Sequence, residues 1–70
     1  MRYSMVIQWS DDDQTFIVTL PEFQNAQTHG DSYEEAVKQG RDLIDSFIAW
    51  YREDGRDLPE PIRYPAPMPA

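Results

Sequence analysis

A long amphipathic segment between Ser32 and Gly55 is the strongest structural signal in the sequence. At about 100° per residue, its apolar side chains fall on one stripe roughly 160° wide, as expected of a helix that packs on a core. The stripe consists of Tyr33, Ala36, Val37, Gly40, Leu43, Ile44, Phe47, Ile48, Trp50 and Tyr51. Ser32 is a favoured N-cap, Glu35 follows at the capping-box spacing, and Gly55 suits the position just after a helix. The pattern predicts a helix over residues 33–54.

Two shorter segments before this helix alternate apolar and polar residues, which is typical of half-buried strands. Residues 1–9 place Tyr3, Met5, Ile7 and Trp9 on one face, and residues 15–20 place Phe16, Val18 and Leu20 on one face. The five polar residues between them, 10–14, favour a turn. We therefore predict a hairpin whose more apolar face lies under the helix.

The remaining segments complete a small α+β domain. Pro21 ends the second strand, residues 26–28 favour a short third strand, and residues 62–64 favour a short edge strand. The predicted fold is a small antiparallel sheet of three to four strands with one long helix packed on it. Five of the last thirteen residues are proline. We assign residues 1–64 to the domain and residues 65–70 to an extended Pro-rich tail.

The composition narrows the classes of function. Thirteen acidic residues against six basic ones give a net charge of −7, which argues against binding to nucleic acid or anionic membranes. The absence of cysteine excludes disulfides and cysteine-ligated metals, and no apolar run has the length of a membrane helix. A chain of 70 residues buries a small core, so we expect a homodimer or higher homo-oligomer. The expected location is the cytoplasm.

Several short motifs resemble one known family. Gly30-Asp31-Ser32, followed by Glu35-Ala36, resembles the G-D-[TS]-x-E-E-A signature of HicB-type antitoxins and their short stand-alone relatives. Pro21-Glu22, at the end of the second strand, resembles the P-[DE]-L-P-G loop of that family, and residues 58–61 resemble its Pro-rich exit after the helix. The resemblance covers roughly residues 3–61. The chain departs from the family at Gln24-Asn25-Ala26, where Pro-Gly-Cys is usual, and at Gln14, where glycine is frequent.

The resemblance implies a fold, a partner and a mode of action. The fold would be a reduced ribonuclease H-like unit of order β-β-β-α-β. The partner would be a small basic HicA-type toxin that cleaves mRNA, and this chain would mask the surface and catalytic histidine of that toxin. Relatives also tend to form homo-oligomers. Complete antitoxins of this kind carry a second, DNA-binding segment, for which we expect no room after Gly55, so we expect no direct contact with nucleic acid.

The residues themselves argue against an enzyme. A ribonuclease H-type nuclease needs carboxylates that converge on divalent metals, with at least one on a central strand, and neither predicted hairpin strand carries one. The run Asp11 to Asp13 lacks the alternation and the glycine of a calcium loop. His29, the single histidine, is a poor zinc site without cysteines and has no nucleophile motif around it. We therefore predict no catalytic, cofactor-binding or metal-binding residues.

Two candidate surfaces follow from this interpretation. The candidate partner-binding residues are Asp11, Asp12 and Asp13 in the first turn, Glu22, Phe23 and Asn25 in the loop after the second strand, and Trp50 and Tyr51 near the end of the helix. One helix covers one sheet face only, so the other face is the candidate dimer face. Its members are Val6, Gln8, Ile17 and Thr19. The alternative function is an orphan self-assembling or ligand-binding module that has the same fold and no toxin partner.

Overall fold

Three antiparallel strands followed by one long helix make up the fold of this chain. A computed structural model describes residues 2–64. The elements are β1 (Val6–Ser10), β2 (Thr15–Leu20), a 3₁₀ turn (Pro21–Phe23), β3 (Ala26–Gly30) and α1 (Tyr33–Glu53). The sheet order is β1-β2-β3, so β2 is the central strand. The predicted α+β class and the order of three strands followed by one long helix are confirmed.

The hairpin forms in the predicted register, although β1 begins later than expected. Val6 pairs with Thr19 at one end of the hairpin, and Ser10 pairs with Thr15 at the other. Residues 2–5 lie outside the strand, whereas the alternation predicted a strand from residue 1. The Ser4 N–H donates a hydrogen bond to the carboxylate of Glu22 rather than to a neighbouring strand. This non-local bond diverts the N-terminal segment from the sheet.

The helix begins and ends close to the predicted residues. The Ser32 hydroxyl oxygen accepts a hydrogen bond from the Glu35 N–H at 3.1 Å, as an N-cap does. At the other end, the Gly55 N–H donates to the Arg52 carbonyl, and the Arg56 N–H donates to the Tyr51 carbonyl. Gly55 has a φ of 66°. These two bonds and the left-handed glycine form a Schellman motif, which satisfies the last carbonyls of the helix.

The core lies between α1 and one face of the sheet. Val18 and Leu20 on β2, Phe23 in the 3₁₀ turn and Ala36 on α1 are buried. The partly buried side chains packed around them are Tyr3, Met5, Ile7, Phe16, Ala26, Leu43, Ile44, Phe47 and Tyr51. The helix therefore covers the predicted apolar face of the hairpin. Gly40 faces the sheet so closely that a Cβ there would lie 3.1 Å from Val18 Cγ1 and would also meet the Met5 side chain.

The helix also approaches the end of β3 closely. A Cβ added to Gly30 would lie 2.5 Å from the Ala36 backbone nitrogen and 2.7 Å from its Cα. Glu35 is equally close, with its carbonyl carbon 2.8 Å from that Cβ. Because all three are backbone atoms, a change of rotamer cannot relieve these close contacts. A glycine at this position allows the last residue of β3 to lie directly against the first turns of α1.

Two segments differ from the expectation. β3 extends to Gly30, two residues beyond the predicted end, because its pairing with β2 continues to the Phe16–Gly30 pair. Residues 62–64, predicted to favour an edge strand, form no strand. The Ile62 N–H, which a strand would use for pairing, donates instead to Glu22 Oε2 at 2.9 Å. The described part of the chain thus has three strands rather than four.

Candidate protein-binding surface

The turn between β1 and β2 presents the predicted acidic residues to solvent. Asp11, Asp12 and Asp13 are all exposed. The Trp9 indole Nε1–H donates to Asp11 Oδ1 at 2.9 Å, and the Asp13 N–H donates to the Ser10 hydroxyl oxygen at 3.2 Å. Side chains of turn residues that bond to nearby groups hold such a turn in one conformation. The structure therefore offers a fixed negative surface at this end of the sheet.

The loop after β2 has a left-handed backbone at two consecutive residues. Gln24 has a φ of 59° and Asn25 a φ of 57°, and both residues are exposed. Asparagine tolerates this region better than most residues because its short side chain can bond locally. Asn25 thus adopts a left-handed conformation, and the residue is exposed at the surface.

Phe23 is positioned for packing rather than for contact with a partner. It is only 2% exposed. Its ring stacks on Phe47 at a centroid distance of 4.8 Å and meets the edges of Tyr3 at 4.8 Å and Tyr51 at 5.9 Å. The predicted contact role of Phe23 is therefore not supported by its position, because the ring is enclosed by three others. The Phe23 ring attaches the loop after β2 to α1.

The carboxylate of Glu22 joins three segments of the chain through a set of hydrogen bonds that we call the clasp. It accepts hydrogen bonds from the Ser4 N–H at 3.1 Å, from the Ser4 hydroxyl at 2.9 Å and from the Ile62 N–H at 2.9 Å. The Tyr3 hydroxyl adds a parallel tie by donating to the Pro59 carbonyl at 2.8 Å. The clasp attaches the segment after the helix to the start of the chain. Glu22 is therefore engaged in intramolecular bonds, and its role in partner binding stays a prediction.

The same bonds decide the ionisation of Glu22. Partial burial by itself would raise its pKa, but the hydrogen bonds from the Ile62 and Ser4 N–H groups and the Ser4 hydroxyl outweigh burial and lower the pKa below its ordinary value. Burial, and then the negative charges of Glu22 and Glu60, raise the pKa of the Tyr3 hydroxyl. Near neutral pH Glu22 is ionised and accepts these bonds, and Tyr3 is protonated and donates its own; the directions of the two pKa shifts agree with these states.

Replacing Glu22 by glutamine is expected to destabilise the protein by about 1 kcal/mol at neutral pH, because solvent still reaches this charged acceptor. A group whose pKa is lowered on folding stabilises the native state above its unfolded pKa. That contribution is lost as the pH falls below about 4.3, the ordinary value for glutamate, and through the lower pKa of the folded state. The stability gap between wild type and Glu22→Gln should therefore narrow in acid. Urea unfolding at several pH values measures it.

The control for this experiment is Asp12→Asn. Asp12 is exposed, and none of the hydrogen bonds or ion pairs of the described residues includes its carboxylate. Its substitution should change stability little at any of these pH values. A constant gap between Glu22→Gln and wild type from neutral to acid pH would show that the clasp does not depend on the charge.

The end of α1 presents one exposed aromatic residue and one that is half-buried. Trp50 is 50% exposed and meets the edge of Phe47 at a centroid distance of 5.2 Å. Tyr51 is half-buried, and the Arg56 guanidinium lies over its ring at 4.5 Å. Trp50 thus has one side on the core and the other in solvent. Such a partly anchored ring is typical of interface residues.

The four residues of the predicted dimer face lie together on the sheet face that α1 leaves open. Val6 pairs with Thr19, and Gln8 pairs with Ile17, which brings the four side chains into one patch. Val6 is 42% exposed, and Ile17 and Thr19 are half-buried. Two apolar residues among polar ones give a mixed surface of the kind that faces either water or another chain.

The candidate contact residues lie at two ends of the domain. The acidic turn precedes β2, whereas the loop with Asn25 follows it, and six strand residues span about 20 Å. The stacking of Phe23 on Phe47 places Trp50 and Tyr51 at the loop end. The sequence-based list therefore describes two separate surfaces, an acidic one and an aromatic one.

A cluster of aromatic side chains beside the acidic turn was missed by sequence reasoning. We call Trp9, Phe16 and Tyr33 the aromatic platform. Trp9 meets Phe16 at a centroid distance of 5.0 Å, and Phe16 meets Tyr33 at 4.3 Å. Trp9 is 48% exposed and Tyr33 is 65% exposed. All three have the apolar periodicity of core positions. Their pattern therefore gave no signal that Trp9 and Tyr33 are exposed where α1 begins.

Within residues 2–64, no group of three or more His, Cys, Asp or Glu side chains is placed to hold a metal ion. None of the three strands carries an Asp or Glu residue. No helix of the described residues combines the length and the apolarity needed to cross a membrane. The described features that stand out are surface patches of acidic and of aromatic residues, and aromatic residues are enriched at protein–protein interfaces.

Comparison with known proteins gives the family. Residues 2–66 match the family described as "HicB_like antitoxin of bacterial toxin-antitoxin system". The chain is also similar to the protein "Antitoxin HicB 2" of Photorhabdus laumondii subsp. laumondii, with 33% identity over 61 residues. This chain belongs to the HicB-like antitoxin family, as its motifs suggested. The match covers 87% of the chain and 42% of that relative, so the chain spans less than half of the length of the relative. No solved structure matches the chain significantly.

Proposed function

We propose that this chain is a non-catalytic antitoxin that binds and masks a small basic toxin of the HicA type, which cleaves mRNA. Its membership of an antitoxin family supports this class of function, since a toxin partner is implied by the family. Masking requires contact and charge rather than catalysis, which agrees with strands that carry no carboxylates. Because the target of such a toxin is mRNA, the complex would act in the cytoplasm.

The distribution of charge is the observation that carries the proposal. All six basic residues lie outside residues 3–37, so this half of the chain has none. The same stretch holds seven acidic residues, namely Asp11, Asp12, Asp13, Glu22, Asp31, Glu34 and Glu35. A surface of one sign attracts a partner of the opposite sign and raises the rate of association. An RNA-binding toxin would be basic, so it would be steered to this half of the domain.

The proposed contacts are the acidic turn (Asp11 to Asp13), Asn25 in the loop, and Trp50 with Tyr51. The turn would supply long-range attraction, and the aromatic residues would supply apolar contact that excludes water. Contact at both ends of β2 would spread the interface over much of one side of the domain. A broad contact of this kind hides the RNA-binding surface of a toxin of similar size.

Affinity capture from native lysate in moderate salt, followed by mass spectrometry, tests this function. We expect a stoichiometric small basic protein. That protein should cleave RNA on its own and should be inactive after addition of one equivalent of this chain. Association should slow as salt is raised, because screening weakens steering between exposed charges. A recovered partner whose RNA cleavage persists in the complex would contradict the proposal.

The open sheet face is the observation that favours a second possibility, self-assembly without a toxin. We propose that Val6, Gln8, Ile17 and Thr19 form a homodimer or higher homo-oligomer contact, in either function. Ile17→Lys places a charge in the middle of this patch and should convert an oligomer to monomer, as measured by light scattering. Lys38→Ala, which removes an exposed helix residue paired with Asp42, is the control. A wild-type monomer at all concentrations would reject the contact.

The Pro-rich tail, residues 65–70, lies outside the described residues.

A further inference from the structure

The aromatic platform of Trp9, Phe16 and Tyr33 is an exposed surface that the proposed contacts above do not include. The three rings are in continuous contact from the end of β1, across β2, to the first residue of α1. Trp9 and Tyr33, the two outer rings, are about half or more exposed. Neighbouring rings restrict one another, so the platform is already held in shape before anything binds. Such preorganisation reduces the entropy lost on binding.

The hydrogen-bonding group of the Trp9 indole is already satisfied inside the protein. Its Nε1–H donates to Asp11 Oδ1 at 2.9 Å, which fixes the indole against the acidic turn. The ring therefore offers its aromatic surface rather than a donor to a partner. Because Asp11 is held beside the indole, a negative charge accompanies that surface.

Two acidic residues lie close in sequence to Tyr33, at the other end of the platform. Asp31 and Glu34 lie on either side of Tyr33 in the chain, and both are exposed. The nearest basic residue that follows, Lys38, is five positions on along the helix, which turns it about 140° away from Tyr33. Lys38 is also paired with Asp42 at 3.3 Å. Aromatic faces bordered by carboxylates, without a basic side chain of their own, attract a cation from outside.

We propose that the aromatic platform binds an arginine side chain of a basic protein partner. The guanidinium would stack on the exposed rings of Trp9 and Tyr33, and its N–H groups would reach the carboxylate of Asp11 beside Trp9. Arginine fits better than lysine because its planar, weakly hydrated group stacks on aromatic faces and donates in several directions. This inference rests on the proposed function only in taking the partner to be a protein, and it adds a contact to the acidic end of the domain.

The charge around the platform argues against the other occupants. An apolar side chain would gain from the rings but nothing from Asp11, Asp31 and Glu34. A second copy of this chain that docked through the same face would bring another acidic surface, since residues 3–37 contain no lysine or arginine. Two such surfaces would repel one another at contact distance. A cationic partner gains both from stacking on the aromatic rings and from attraction to the acidic residues near them.

The test uses short peptides and does not require the toxin. Acetyl-Gly-Arg-Gly-Arg-Gly-amide is titrated into the full chain, and the indole N–H signals of Trp9 and Trp50 are followed by NMR. We expect the Trp9 signal to shift and the Trp50 signal to move little. Tyr33→Ala should weaken binding about fivefold, within the range for an exposed cation–π contact. The peptides with lysine or leucine in place of arginine should bind more weakly, leucine the most.

Tyr64→Ala is the matched control for Tyr33→Ala, because Tyr64 is also an exposed tyrosine and lies in the segment after α1, outside the platform and the proposed contacts. It should leave the peptide affinity unchanged, and circular dichroism should confirm that each variant is folded. Equal shifts at both indoles would show general attraction to an acidic protein and would overturn the site. Equal affinity for the leucine peptide would overturn the cationic ligand. A Trp9 shift on dilution of the protein alone would assign the platform to a second copy.

The outcome can be separated from that of the proposed function. If the peptide binds at Trp9 but no toxin is neutralised, the platform stands and the antitoxin function fails. If a toxin is neutralised, Tyr33→Ala should also weaken the complex about fivefold. A neutralised toxin with no effect of Tyr33→Ala on either ligand would overturn the platform alone.

Discussion

Replacing Phe23 by alanine is expected to destabilise the domain by about 3–5 kcal/mol, the range for removal of a buried aromatic ring. The ring is 2% exposed and contacts Tyr3, Phe47 and Tyr51, so its loss opens a cavity between the loop and the helix. A domain of this length has a total stability of roughly 4–10 kcal/mol. Phe23→Ala should therefore be largely unfolded or close to it, as urea unfolding followed by circular dichroism would show.

Phe23→Leu is the control for this prediction, because leucine fills most of the cavity and should cost about 1.5 kcal/mol or less. The same variant separates a packing role from a contact role. If Phe23 only supports the loop, a folded Phe23→Leu protein should bind its partner as the wild type does. A stable Phe23→Leu protein that loses partner binding would restore the contact role that the loop position suggested.

Replacing Gly30 by alanine is expected to destabilise the domain by about 3 kcal/mol, at the upper end of the cost of overpacking. A Cβ at this position would lie 2.5–2.8 Å from backbone atoms of Glu35 and Ala36. Backbone atoms cannot move out of the way as a flexible side chain does. The first turn of α1 must therefore shift away from β3, which disturbs the Ser32 cap and the buried Ala36. A fall in the urea midpoint with unchanged slope would measure this loss.

Gly55→Ala is the matched control, since it makes the same chemical change at a glycine with no atoms within 4 Å of the new Cβ. Gly55 has a φ of 66°, so its substitution should cost about 1–2 kcal/mol through backbone strain alone. The order of the two effects is the prediction. A Gly30→Ala protein as stable as Gly55→Ala, or more so, would contradict the close approach of strand and helix.

These contacts give the family signature a structural meaning in this chain. Gly30 and Ala36 are the two small residues that allow β3 and α1 to touch, and Ser32 caps the helix between them. The segment is therefore a joint between strand and helix. Of the proposed binding surfaces, the aromatic platform includes one residue of this segment, Tyr33, whereas the acidic turn and the far end of the helix lie outside it.

The sequence by itself determined the elements of this protein and the faces they bury. The helix has its Ser32 cap and its Gly55 termination within one residue of the expected bounds, and the hairpin buries the predicted face that includes Val18. These features depend on residues within a few positions of one another, through the 3.6-residue and two-residue periods and through local capping bonds. Local patterns of this kind can be seen without knowledge of the fold.

Only the tertiary structure decided which of these residues are available to a partner. The Glu22 carboxylate is bonded to Ser4 and to Ile62, which is 40 positions away in sequence. Phe23 is enclosed by three rings from two segments, the start of the chain and α1, whereas Trp9 and Tyr33, also predicted to be core residues, remain exposed where α1 begins. Burial depends on where distant segments meet, and a one-dimensional pattern specifies a face but not how far another element covers it.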